Sequence, residues 1–110
     1  MIDYEATMRS IGYDESLLET LIDIFLEDYP LLVSELEKAV RDQDSESVYG
    51  AAHRLKGLVS NFHDRITVEL LAAIELAART EKNSSNLVTV KQVNELCAAT
   101  GEELKGYLKR

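Results

Sequence analysis

Val48-Tyr49-Gly50-Ala51-Ala52-His53-Arg54-Leu55-Lys56-Gly57-Leu58-Val59-Ser60-Asn61-Phe62 reads as a single amphipathic helix. Val48, Ala52, Leu55, Val59 and Phe62 step by four, three, four and three, the spacing that lines one face of a 3.6-residue turn. At about 100° per residue this stripe centres roughly 140° around the helix from His53, which turns the imidazole toward water. Tyr49, Gly50, Lys56, Gly57, Ser60 and Asp64 fall within about 60° of His53 and make one exposed strip. Two of these are glycines. In a helix interior each costs ~0.5–1 kcal/mol relative to alanine, so the pair implies a backbone surface kept clear for a docking body.

Outward from this helix the chain is helical almost throughout. Upstream, Leu18, Leu21, Phe25, Tyr29, Leu32, Leu36 and Ala39 keep helical spacing from Asp14 for about seven turns. Pro30 lies inside that run and removes a backbone donor, which predicts a kink or brief break. Asp3 to Ser10, closed by Gly12, is a short amphipathic segment expected to lid one end of the core. Arg41 to Ser45 is the turn before the His53 helix, with Asp44 or Ser45 as its cap. Downstream the His53 helix should end between Asn61 and Asp64. Ile66, Leu70, Ala73 or Ile74, and Ala77 define a third long helix ending around Lys82. Asn83-Ser84-Ser85-Asn86 reads as a loop, and Leu87, Val90, Val93, Cys97, Leu104 and Leu108 as a fourth helix that Thr100-Gly101 could loosen. No segment alternates like a strand. The expectation is all-α: an up-down-up-down four-helix bundle with a short N-terminal helix, one domain over residues 1–110.

Composition narrows the function. The net charge is −8, with 13 acids and 3 bases in residues 1–50 against 7 acids and 9 bases in residues 51–110. Such acidity argues against nucleic acid, which needs a basic footprint. No run approaches the ~18 apolar residues of a membrane span, and the single Cys97 has no partner for an internal disulfide, so a cytoplasmic setting and no membrane partner are expected. The residues three before His53 and His63 are Gly50 and Ser60, so the Glu-x-x-His of di-iron bundles is missing. On a continuous helix the two histidines would stand ~15 Å apart along the axis, too far to share an ion. No metal site and no cofactor are expected. Without a phosphate loop or a nucleophile motif, a self-sufficient enzyme is not expected either.

What His53 has is context. Neutral imidazole is a good nucleophile, and Lys56, one turn on, can meet phosphoryl oxygens arriving on it. Arg54, Lys56 and Arg65 form a small basic island, with Arg65 read as an ordinary solvated charge.

The run Ala51-Ala52-His53-Arg54-Leu55-Lys56-Gly57 resembles the hallmark Ala-Ala-His-x-Leu-Lys-Gly of the histidine-containing phosphotransfer (HPt) domain. Leu21 to Pro30, Asn61-Phe62 and Ile74-Glu75-Leu76-Ala77-Ala78-Arg79 resemble further family segments, covering roughly residues 14 to 80. Leu58 departs from a usual small residue, and His63 stands where a glycine usually closes the His helix with a left-handed C-cap. The resemblance implies a phosphocarrier in a two-component phosphorelay. His53, through Nε2, would take a phosphoryl group from the aspartate of one receiver domain and yield it to another, with Lys56 compensating its charge. Tyr49, Gly50, Arg54, Gly57, Ser60 and Asp64 would form the receiver-docking strip. Receiver domains of response regulators or of a hybrid sensor kinase would be the partners, Mg²⁺ would sit on the receiver, and a monomer is expected. Two other readings stay open: a helical docking adaptor without phosphoryl chemistry, and the phosphoryl-accepting N-terminal module of a chemotaxis-type histidine kinase.

Overall fold

Four aspartates open four helices. In the computed structural model, which describes residues 2–80 and 87–108, these are α1 (Tyr4–Ser10), α2 (Glu15–Arg41), α3 (Ser45–Ser60) and α4 (Arg65–Thr80), followed by α5 (Leu87–Leu108). The carboxylates of Asp3, Asp14, Asp44 and Asp64 accept from the backbone N–H groups of Ala6, Leu17, Ser47 and Thr67 at 3.0–3.3 Å. Each satisfies a donor that has no partner within its helix. The residue before three of these caps is left-handed: Tyr13 at φ 60°, Gln43 at φ 54° and His63 at φ 54°. One residue therefore reverses the chain and the next starts a new helix, which keeps the connections short. His63 takes the left-handed conformation for which glycine is the usual choice, although a residue with a side chain adopts it less readily.

All described elements are helices. α3 packs against both α2 and α4, and α5 against both α2 and α4, so the four long helices surround one core. Phe25, Phe62, Ile22, Leu36, Leu55, Leu71 and Leu104 are its largest fully buried side chains, with Phe25 and Phe62 edge to face at 5.6 Å. All five residues of the α3 stripe, Val48, Ala52, Leu55, Val59 and Phe62, are buried as their spacing requires. α1 caps one end: Asp3 N–H donates to the Phe62 carbonyl at 3.0 Å, and Tyr4 stacks on Tyr107 at 4.7 Å.

Several expectations change. α2 runs unbroken through Pro30, which lies on its exposed face. α5 is likewise continuous through Thr100-Gly101. Gly101 is buried, and a Cβ there would stand 3.3 Å from Leu26 Cδ2 and 3.5 Å from Tyr29 Cε2, so its lack of a side chain lets α5 approach α2. On α4 the buried face is Thr67, Leu71, Ile74, Glu75 and Ala78, while Ile66 is exposed and Leu70 only half-buried. The buried set therefore keeps only Ile74 of the spacing first read, because a polar residue with partners can occupy the inner face. α4 is described to Thr80; the expected end at Lys82 and the Asn83–Asn86 loop lie outside the described residues. Cys97 is buried, and burial pushes its thiol up to about 12, which leaves it unreactive.

Candidate functional site

His53 stands near the middle of α3, its side chain 62% exposed on the face opposite the buried stripe. Its ring is not free to spin. Nδ1 lies 2.8 Å from Oε2 of Glu75 on α4. Glu75 is buried, with 8% of its side chain exposed, and Lys56 Nζ reaches its other oxygen, Oε1, at 2.5 Å. Burial would raise the Glu75 carboxyl, but hydrogen bonds from Lys56 and His53 outweigh it and hold the group below the ordinary carboxylate range. An ionised carboxylate can only accept, so the proton of neutral His53 resides on Nδ1. Nε2 then carries the lone pair.

One turn earlier, the Tyr49 ring stacks on His53, nearly parallel at 7° and 5.8 Å between centroids. The Arg79 guanidinium lies over the same tyrosine, 4.5 Å from its centroid. Glu75 holds one ring nitrogen and Tyr49 stacks beside the ring, while the imidazole stays largely exposed.

The strip read from the helical wheel is mostly gathered there. Gly57 has open space where a side chain would be, and Ser60 turns its hydroxyl back onto the Lys56 carbonyl at 2.5 Å. Arg54 reaches across to Glu35 on α2 at 2.8 Å, both half-exposed. Gly50 would bring a Cβ to 3.5 Å from the Arg54 guanidinium, an ordinary contact. Asp64 does not belong to the strip. Because α3 ends at Ser60 and the chain turns at His63, Asp64 is the N-cap of α4 and is fully buried, accepting from Thr67 Oγ1 at 2.8 Å and Thr100 Oγ1 at 2.7 Å. Burial would raise its carboxyl, but hydrogen bonds, those from Thr100 and Thr67 among them, keep it below the usual range. Arg65 pairs with Glu69 one turn along, as a solvated charge should. His63 is exposed at the turn, and the strip does not extend to it.

Glu75 and Arg79 are the residues that sequence reasoning missed as parts of the site. A signal for Glu75 was present: it shares a helical stripe with Leu71, Ile74 and Ala78, and a carboxylate turned into a core must find a cation or donor.

Residues 20–106 match the family model described as Hpt domain, and the chain belongs to that family. Membership implies histidine phosphotransfer in a phosphorelay, with receiver domains as the general class of partner. No curated protein and no solved structure matches the chain. Among the described residues no helix is long and apolar enough to cross a membrane.

Proposed function

We propose that this protein carries a phosphoryl group on Nε2 of His53 between aspartates of receiver domains. The observation behind this reading is the 2.8 Å contact from Nδ1 of an exposed imidazole to a buried, ionised Glu75, which leaves Nε2 as the outward lone pair. In the forward step that lone pair forms an N–P bond while the bond from phosphorus to the receiver aspartate's oxygen breaks. The electron pair leaves on the aspartate carboxylate. The imidazole keeps its Nδ1 proton and becomes a phosphorylated imidazolium, whose new positive charge faces Glu75. Such transfer needs little from the carrier beyond position and charge, while the receiver supplies the acidic pocket and Mg²⁺. Lys56 keeps the Glu75 charge from repelling the incoming group and can lend its ammonium to the phosphoryl oxygens. Tyr49, Gly50, Arg54, Gly57 and Ser60 form the docking strip in this reading.

The pairing of Tyr49 with Arg79 and of His53 with Glu75 runs in opposite senses along the chain, which supports antiparallel α3 and α4 and, with the short connections, an up-down-up-down bundle. We take the protein to act as a cytoplasmic monomer. The test is incubation with a phosphorylated receiver. His53→Gln should take up no label and His63→Gln should label normally, with the label lost in acid as a phosphohistidine requires. Label retained on His53→Gln would overturn the assignment, and a wild-type protein that binds receivers without labelling would be a docking adaptor.

A further inference from the structure

α2 carries two apolar stripes, and the core uses one of them. Leu18, Ile22, Phe25, Val33 and Leu36 are buried. Leu17, Leu21, Ile24, Asp28 and Leu31 step by four, three, four and three on another side, the spacing of an interhelical seam with one acid in it. Leu17, Ile24 and Leu31 are 40%, 41% and 65% exposed, and Leu21 is half-buried. The length of α2 explains why this stripe is bare. Leu17 precedes Glu35 by 18 residues, five whole turns, so it lies on the side of α2 from which Glu35 meets Arg54 of α3. α2 has 27 residues and α3 only 16; at the end of α3, Gly57, Leu58 and Asn61 line a groove with Asp28, Leu31 and Leu32. From Ile24 back to Leu17, α2 overhangs the end of α3.

The charge around the stripe decides what can cover it. Between residues 14 and 37 the chain has eight acids and no base. Glu35 and Glu37 are paired with Arg54 and Arg41. Asp28, inside the stripe, and Glu27 and Asp23, about 75° and 115° round from its centre, take part in no ion pair among the described residues. A second copy would set these carboxylates against their own kind, and a nucleic acid or an anionic lipid surface would be repelled as well. We propose that the face of α2 between residues 17 and 31 docks a basic amphipathic helix of another protein. Apolar residues of that helix at i, i+3 or i+4, and i+7 would rest on Leu17, Ile24 and Leu31, and its lysines or arginines would meet Asp28, Glu27 and Asp23. The stripe spans about 21 Å, so the occupant is a helix of about four turns. Ile24, at its middle, lies about 17 Å along α2 from Glu35, which marks the level of His53, so this docking is a separate event from transfer.

This inference goes beyond the phosphotransfer reading and stands without it. The probe is a fluorescent helical peptide of about 18 residues with leucine on one face and lysine on the other, titrated with the whole chain and followed by anisotropy. It should bind about 10-fold more tightly than a scrambled peptide of the same composition, which has the charge without the face. The same helix with glutamate for lysine should not bind. Leu17→Ser and Ile24→Ser should each weaken binding about 5–10-fold, and both side chains are exposed enough that thermal unfolding should stay close to wild type. Glu27→Gln with Asp28→Asn, which removes no apolar contact, should weaken binding about 3–10-fold at low salt and flatten its salt dependence. Transfer from a phosphorylated receiver should keep both its saturated rate and its half-saturating concentration in Ile24→Ser. Equal binding of the scrambled peptide would overturn the proposal, as would wild-type affinity in the serine variants or in the double charge variant. A higher half-saturating receiver concentration for Ile24→Ser would give the face to the receiver instead. A dimer in sedimentation that Ile24→Ser dissociates would give it to a second copy, and either result would refute the basic helix.

Discussion

Replacing Glu75 with leucine should separate the stability of this protein from its chemistry. The carboxylate is buried and holds two partners, Nδ1 of His53 at 2.8 Å and Nζ of Lys56 at 2.5 Å. Both partners reach water without it, since the imidazole is 62% exposed and the Lys56 side chain 32% exposed. Leucine of similar size removes the desolvation cost of a buried anion and strands no charge, and such replacements are often neutral or stabilising. The expected change in unfolding free energy is therefore within about 1 kcal/mol. Transfer should respond differently. A hydrogen bond to a charged group contributes about 1.5–3 kcal/mol, and solvent competition at an exposed ring brings the value here toward about 1 kcal/mol. Since 1.4 kcal/mol is tenfold in rate, losing the contact that fixes tautomer and ring angle should slow saturated transfer about 5–10-fold. Chemical denaturation and rapid-quench transfer from a phosphorylated receiver measure the two quantities on the same preparation. Wild-type transfer by Glu75→Leu would refute the idea that Glu75 orients the nucleophile. A stability loss above about 3 kcal/mol would show instead that the carboxylate holds the bundle together.

Two further outcomes concern the frame. His63→Gly should raise stability by about 0.5–1 kcal/mol, read as a rise of a few degrees in Tm, because φ 54° costs a side-chain-bearing residue more than glycine's extra unfolded-state freedom offsets; a fall would mean the His63 side chain has a structural role. On acidification, Glu75 and Asp64 have folded-state values below their ordinary 4.5 and 3.8, so each contributes stability that is fully present above those values and is lost as pH falls through the lower folded ones. Denaturation midpoints should therefore decline from about pH 4.5 downward, and Glu75→Leu should flatten the upper part of that decline; an unchanged slope would contradict the ionised carboxylate.

The sequence disclosed those features that depend on neighbours within about four residues. The stripe from Val48 to Phe62 placed His53 on the wet face of α3, and the spacing from Leu18 to Ala39 carried α2 through Pro30, because helical periodicity is a local property. The Asp44 cap was readable for the same reason. Asp64 was misplaced because the wheel was extended past the helix end: at His63 the backbone turns left-handed and the angular count no longer applies.

What tertiary structure decided is which face of α4 meets α3. Ile66, Leu70, Ala73 or Ile74, and Ala77 have helical spacing, and so do Thr67, Leu71, Ile74 and Ala78, so hydrophobic pattern alone does not choose between them. The inward Asp64, tied to Thr67 at the start of α4 and to Thr100 on α5, selects the second set. That choice carries Glu75 beneath His53, 22 residues earlier in the chain, and Arg79 over Tyr49. The exposed placement of His53 was thus written in local periodicity. The contacts of His53 with Glu75 and of Tyr49 with Arg79 were not, because they depend on the rotation of one helix against another, which only the packed core fixes.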